Sequence, residues 1–480
     1  MTALTTSPPT TSIANPKRWA ILALVLAVEC MDLLDGTIVN VAAPSIRADL
    51  GSGLSALQWI AGGYALTFAV GLVTGGRLGD IFGRRRMFLL GVAGFAAASL
   101  LCGLAPTSET LIAARLLQGA FAAIMIPQGF GIIRSAFGPD EIGKAFALFG
   151  PVIGLSAVLG PVLGGVLVEA DLFGAGWRLI FLVNLPLAAA ALVMGARLLP
   201  ESRAEDPPTL DIPGAVLVTV AAGLLVYPLI QGREAGWPAW TFVAMAAALA
   251  VLAGFVAVER RRERAGVSPL VTMSLFRKRA YSAGLACALV FFAGMIGLML
   301  VFSLYLQLGL GYGAAHAGVA FIPWSLGTAV GAGLGAGLLG PRLGRPTLHI
   351  GAAIMLVGVL GMLAVVGATG ADMTVWQIAG PELAAGAGMG MLLAPLFDFV
   401  LAGVEDDEVG SASGVLNATQ QLSGAIGIAA IGTVFFSVLA SDGIQRAFEI
   451  ALWIDAGLLA ITAALVFLLP LRAREEAQAA

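Results

Sequence analysis

Glu29, Asp32 and Asp35 lie three residues apart inside one apolar stretch, Trp19–Val41, and a single Arg115 lies inside another. Helical spacing sets Glu29 beside Asp32 and Asp32 beside Asp35 on one side of a helix. A lone ionised carboxylate at bilayer depth costs several kcal/mol, so acids there face a wet cavity and do work in it. Crowded carboxylates cannot all ionise at low dielectric, so at least one is expected to hold a proton at neutral pH. The chemistry these residues suit is reversible proton or cation binding. Depth pairs two of them. At about 1.5 Å per residue, Glu29 lies roughly 15 Å and Asp35 about 24 Å into the first run, and Arg115 about 9 Å from the far end of its own. Asp35 and Arg115 are therefore predicted to meet. The guanidinium favours ionised Asp35 and burial favours the protonated form.

The rest of the chain is what holds such residues in a membrane. It has 480 residues, of which 59% are hydrophobic and only 11% charged. Soluble domains carry about 25% charged residues, so an all-α integral membrane protein is expected. Fourteen apolar runs are long enough to cross: 19–43, 56–76, 87–105, 109–133, 145–168, 177–198, 211–231, 237–258, 280–307, 315–339, 347–368, 374–401, 411–438 and 447–471. The first follows Lys17 and Arg18 and is too long for the apolar core of a signal peptide, so it reads as a retained span. With the N-terminus inside, inner segments hold 21 of the 26 Lys and Arg residues and outer loops only Arg47, Arg178, Arg233 and Arg446, which predicts both termini in the cytoplasm.

Repetition divides the chain. Gly76-Arg77-Leu78-Gly79-Asp80-Ile81-Phe82-Gly83-Arg84-Arg85 joins spans two and three, and a degenerate echo, Gly340-Pro341-Arg342-Leu343-Gly344-Arg345, joins spans ten and eleven. Two parallel halves of six helices around a midplane site make a rocking transporter. The expected order is a disordered tail (1–16), a six-helix bundle (17–200), two inserted helices (201–262), a second six-helix bundle (263–471) and a cytoplasmic tail (472–480).

The element Gly76–Arg85 resembles the signature of the major facilitator superfamily, with Gly76, Leu78, Asp80, Gly83, Arg84 and Arg85 all matching. Leu34–Pro44 resembles the first-span motif of its fourteen-span drug:proton antiporters, with Ala43 where Leu is usual. Leu111–Gly119 is similar to their fourth-span motif with its buried Arg, and Phe121 replaces a small residue nearby. Gly160-Pro161-Val162-Leu163-Gly164-Gly165 is similar to the antiporter motif of span five, with Ser156 in place of Gly. Trp177-Arg178, Phe181–Pro186 and Pro269-Leu270 also fit that family.

The resemblance implies the major facilitator fold and a proton-coupled antiporter that exports amphipathic small molecules. It implies proton coupling at Asp35 and Arg115, a cytoplasmic gate at Gly76, Asp80, Gly83, Arg84 and Arg85, and a hinge at Gly160, Pro161, Gly164 and Gly165. Asp32 and Glu29 join the proton relay by their placement. Glu382, Gln118, Asn184 and Gln128 are candidates for substrate contact. Alternatives are a dedicated exporter of one metabolite or antibiotic, or a membrane receptor that does not transport. A bacterial plasma membrane, a monomer, and lipid, substrate and protons as the partners are expected. No nucleic acid, cofactor or metal is. The three cysteines and two histidines are scattered and form no ligand pattern. Gly138–Lys144 has phosphate-loop spacing, but Ala145 replaces the required Ser or Thr and Asp140 and Glu141 would repel phosphate. Energy from an ion gradient is therefore expected.

Overall fold

The computed structural model describes residues 16–138, 141–142, 144–145, 148–204, 209–405 and 408–472. The N-terminal tail before Pro16, the tail from 473 and parts of the Gly138–Lys144 loop lie outside the described residues. Every regular element among the described residues is helical.

Six helices build the first half: α1 (Arg18–Leu50), α2 (Leu54–Phe82), α3 (Arg84–Gly103), α4 (Ser108–Ala136), α5 (Phe149–Ala170) and α6 (Asn184–Leu198). Sequence signals set their ends. Gly51, in the left-handed region, closes α1, and its N–H donates to the Arg47 carbonyl. A reciprocal Thr107–Thr110 capping box starts α4. Interior glycines let backbones meet: a Cβ on Gly91 would come within 2.6 Å of the Met125 side chain, and one on Gly75 would collide with the Ala123 carbonyl.

Two helices follow, α7 (Ile212–Gln231) and α8 (Ala239–Arg264). They pack on each other, and α7 also lies against α2. The second half holds α9 (Arg279–Leu304), α10 (Ala314–Ala320), α11 (Ile322–Leu334), α12 (Pro346–Thr369), α13 (Val375–Leu401) and α14 (Val409–Val466). A small apolar cluster of Ala65, Leu66, Ala222, Val226, Ala425 and Ala429 ties α7 to α2 and α14. The two large cores stay separate, one mainly within α1–α6 and one mainly within α9–α14.

Eleven of the described helices are long and apolar enough to cross a bilayer. Of the fourteen expected runs, two fall outside that set: the carboxylate-bearing first and Phe149–Ala170. The last two form one 58-residue helix, α14, which Gly443 interrupts at φ 83°. The run expected at 315–339 is also broken, at Phe321, into α10 and α11. Pro323 explains the break, because its ring supplies no N–H and clashes with the preceding turn.

Candidate functional site

The two halves meet at the end of α1 that carries Asn40. The Ser303 hydroxyl donates to the Asn40 carbonyl at 2.9 Å, and the Gln307 amide to the Val41 carbonyl at 2.9 Å. The Gln58 amide donates to the carbonyls of Ile428 and Ala429, both at 3.0 Å. The α5 motif lies in the same contact. Gly160 and Gly164 give room to Thr37 and Ile38 of α1, while Gly165 abuts the Ala314 backbone and the Pro161 carbonyl abuts Gly318. One small-residue helix thus packs against both halves, which only glycine permits at these separations.

Below that seal sits the acid cluster. Arg115 and Asp35 are fully buried. Arg115 Nη1 donates to Asp35 Oδ2 at 2.5 Å and to Gln118 Oε1 at 2.7 Å, and its Nε donates to the Ile60 carbonyl at 3.0 Å. The other Asp35 oxygen accepts from Gln118 Nε2 at 2.9 Å and Asn184 Nδ2 at 2.7 Å. Ser99 accepts from both of those amides. Helices α1, α4 and α6 therefore converge on one carboxylate, and α2 and α3 bind its partners through Ile60 and Ser99. Charge-assisted bonds of this kind are the strong ones, and in a dry interior an ion pair needs such added donors to offset its desolvation.

Asp32 is also buried and accepts from the Tyr64 hydroxyl, whose ring lies 4.3 Å beneath the Arg115 guanidinium. Glu29 is half-buried. It shares a face of α1 with Leu33, exposed Gly36 and Asn40. Asn40 meets the second half through its carbonyl, and a Cβ on Gly36 would touch nothing within 4 Å. The ladder Glu29–Asp32–Asp35 runs from half-buried Glu29 into the buried ion pair.

The other expected residues are placed as follows. Asp80 and Arg84 pair at 2.8 Å, and Arg84 lies against Gly131 of α4. Gly83, at φ 105°, seats the Glu201 carboxylate. That carboxylate accepts from the Arg85 N–H at 3.2 Å. Gly76 faces Pro127. Gln118 and Asn184 are committed to Asp35. Gln128 is buried and donates to the Gly75 and Ile124 carbonyls. Glu382 is buried in the second half, apart from the cluster. Among the described residues no group of His, Cys, Asp and Glu has metal-binding geometry.

Several contributors were not foreseen: Tyr64, Ser99, Gln58 and Arg77. Arg77 donates to the carbonyls of Thr209, Pro269 and Leu270. Arg262 Nε pairs with buried Asp211 at 2.9 Å, the Arg262 guanidinium donates to the Ser268 carbonyl at 3.1 Å and the Leu270 N–H donates to Asp211 at 3.1 Å, so the inserted helices bind the segment that leads into the second half. Arg77 lay within the motif and could have been singled out by its charge; the neutral residues offered no such signal.

Residues 25–428 match the Major Facilitator Superfamily. The chain belongs to that family, and this makes it a transporter. It is 52% identical over 438 residues to the probable actinorhodin transporter of Streptomyces coelicolor, covering 90% of this chain and 76% of that protein. It is 35% identical over 471 residues to the puromycin resistance protein of Streptomyces alboniger, covering 95% and 92%. It is 37% identical to the cephamycin export protein of Amycolatopsis lactamdurans, covering 86% and 85%. The crystal structure of a POT family transporter superposes with a TM-score of 0.69 at 14% identity, covering 94% of this chain and 97% of that one, a likeness of fold alone.

Proposed function

We propose that this protein exports an amphipathic small molecule of the antibiotic kind in exchange for protons. In this reading fourteen helices cross a bacterial plasma membrane with both termini cytoplasmic, and α7 and α8 are the inserted pair between bundles 17–200 and 263–471. The observation that carries it is the ladder Glu29–Asp32–Asp35, half-buried at Glu29 and clamped by Arg115 at Asp35. Proton arrival on Asp35 loosens the Arg115, Gln118 and Asn184 clamp, and α1 and α4 shift with respect to one another. Proton departure toward the cytoplasm restores it. A proton moving down 100 mV gains about 2.3 kcal/mol before any pH contribution. Separation of Gly165 and Pro161 from α10 opens the outer side, and Asp80 and Arg84 gate the inner one.

A dedicated exporter of one antibiotic is the second reading, favoured by the 52% identity to a relative named for a single compound. Inverted vesicles with an imposed pH gradient test both, using puromycin, actinorhodin and cationic, neutral and anionic dyes. Gradient-driven uptake of several compounds supports the broad exporter, and uptake of one alone supports the dedicated one. Uptake indifferent to the gradient defeats proton exchange.

A further inference from the structure

The second half contains an acid that the exchange scheme above does not use. Glu382 of α13 is 0% exposed, and neither of its carboxylate oxygens has a hydrogen-bond partner. It faces the backbone N–H of Trp324 without closing a bond to it. Trp324 stands in the first turn of α11, just past the break at Phe321–Pro323, where a helix leaves its N–H groups without intrahelical acceptors.

The helices around Glu382 bring no counter-charge. α11 has no titratable residue, and α12 has only His349, in its first turn, whereas its Gly358 is the residue that meets Pro381 and Ala385. On α13 itself Asp398 lies about 24 Å along the axis. The ionisable residues of α9 are Arg279, Tyr281 and Cys287, toward the end where Gly284 meets Val400. His316 of α10 stacks on Tyr312 at 4.1 Å, and Asp455 of α14 lies against Gly294 of α9.

The two pieces of the broken helix have different loyalties. α11 is seated mainly within its own half, although it also touches α5: Gly327 and Gly331 abut the backbone of α13 at Leu383 and Ala387, and Gly386 abuts Trp324. α10 is held by the other half, through Gly165, Pro161 and the Ala315 N–H, which donates to Glu169 at 2.9 Å. α5 holds α10 more extensively than α11, so moving the halves apart loads the break that Glu382 faces.

We propose that Glu382 is a second proton-binding site, covered while α10 is docked on α5 and opened to water at the Phe321–Pro323 break when α10 leaves. This adds a second acid to the proton-exchange reading on which it rests. In the docked state the side chain carries its proton, because an unpaired buried charge costs several kcal/mol. In the open state the proton passes to water, and the carboxylate that remains faces the N-terminal end of α11, whose dipole favours negative charge.

Infrared difference spectroscopy of the full-length protein in nanodiscs tests this without any substrate. At neutral pH the wild type is expected to show a carboxylic-acid C=O band that glutamate-specific ¹³C labelling shifts, that Glu382→Asp moves, and that Glu382→Gln removes. Cross-linking Glu169→Cys to Ala315→Cys holds α10 on α5. The band then persists to alkaline pH, and cleavage of the link lets it titrate away. A spectrum in which labelling shifts no such band overturns the site, even if Glu382→Gln fails to fold. Identical titration with and without the link overturns its coupling to α10. A band that behaves as expected in a protein whose transport ignores pH gradients leaves this site standing and defeats the exchange reading instead.

Discussion

The two halves treat a buried acid in opposite ways. In the first, Asp35 is met by a guanidinium and two amides from three other residues on α4 and α6. In the second, Glu382 is equally buried and meets no partner. The first arrangement is an ion-pair cluster whose parts lie on five helices. The second is an unpartnered acid beside a helix break. Removing a partner from the first orphans a charge, whereas changing the second orphans nothing. On the proposed scheme, the difference separates an acid that holds structure and exchanges protons together from one whose protonation follows movement at a hinge.

The largest effect should come from Arg115→Ala. Breaking a buried ion pair costs about 3–5 kcal/mol, so thermal unfolding in detergent should shift strongly downward and transport should vanish. Glu382→Gln, by contrast, should change stability by only about 1 kcal/mol, since an amide keeps the volume and no partner is stranded. A Glu382 variant as damaging as Arg115→Ala would erase the contrast between the halves.

Next in size is Gly165→Val. Its side chain would run into the Ala314 backbone and hold the Asn40 end apart. Unfolding temperature should stay close to wild type while spin-label distances between α5 and α10 lengthen and transport falls. Asp80→Asn removes a pair whose side chains are 27% and 32% exposed, so its cost should be below about 1 kcal/mol, and the effect should show in transport rate.

The smallest effect is at Asp49, beyond the apolar run of α1. Hydrogen bonds from Arg178, at 2.7 Å, and Trp177, at 3.0 Å, hold its carboxyl below the ordinary value. A depressed folded-state value means stability that is present above the unfolded value, about 3.9, and lost as pH falls through the folded one. Asp49→Asn should therefore lower the unfolding temperature slightly at neutral pH, and the difference from wild type should disappear in acid.

The ion pair was legible because charge at depth is rare and helix rise is fixed: Asp35 and Arg115 fell at matching heights before any fold was known. Asp80 and Arg84 were legible as neighbours one turn apart. Tyr64 and Ser99 were not, because a hydroxyl in an apolar run gives no periodicity and its role depends on which acid or amide folds against it. Gln118 and Asn184 read equally well as substrate contacts, and only packing showed them bonded to Asp35. The break at Phe321 was missed although Pro323 marked it, because the run from 315 to 339 is apolar throughout. The glycines spaced four apart between Gly327 and Gly335 carry the spacing of close helix packing, and Gly327, Gly331 and Gly335 meet α13 at Leu383, Ala387 and Met391. Gly333 and Gly337 face open space, which spacing alone cannot distinguish.

Proton release on ligand binding tests the exchange at Asp35 most directly. Purified protein in weakly buffered detergent is mixed with a compound that the vesicle panel has shown to be transported, and the pH change is read at constant volume. The wild type should release protons in proportion to ligand bound, and Asp35→Asn should release fewer while still binding. Equal release from both proteins would contradict the assignment of the exchanged proton to Asp35.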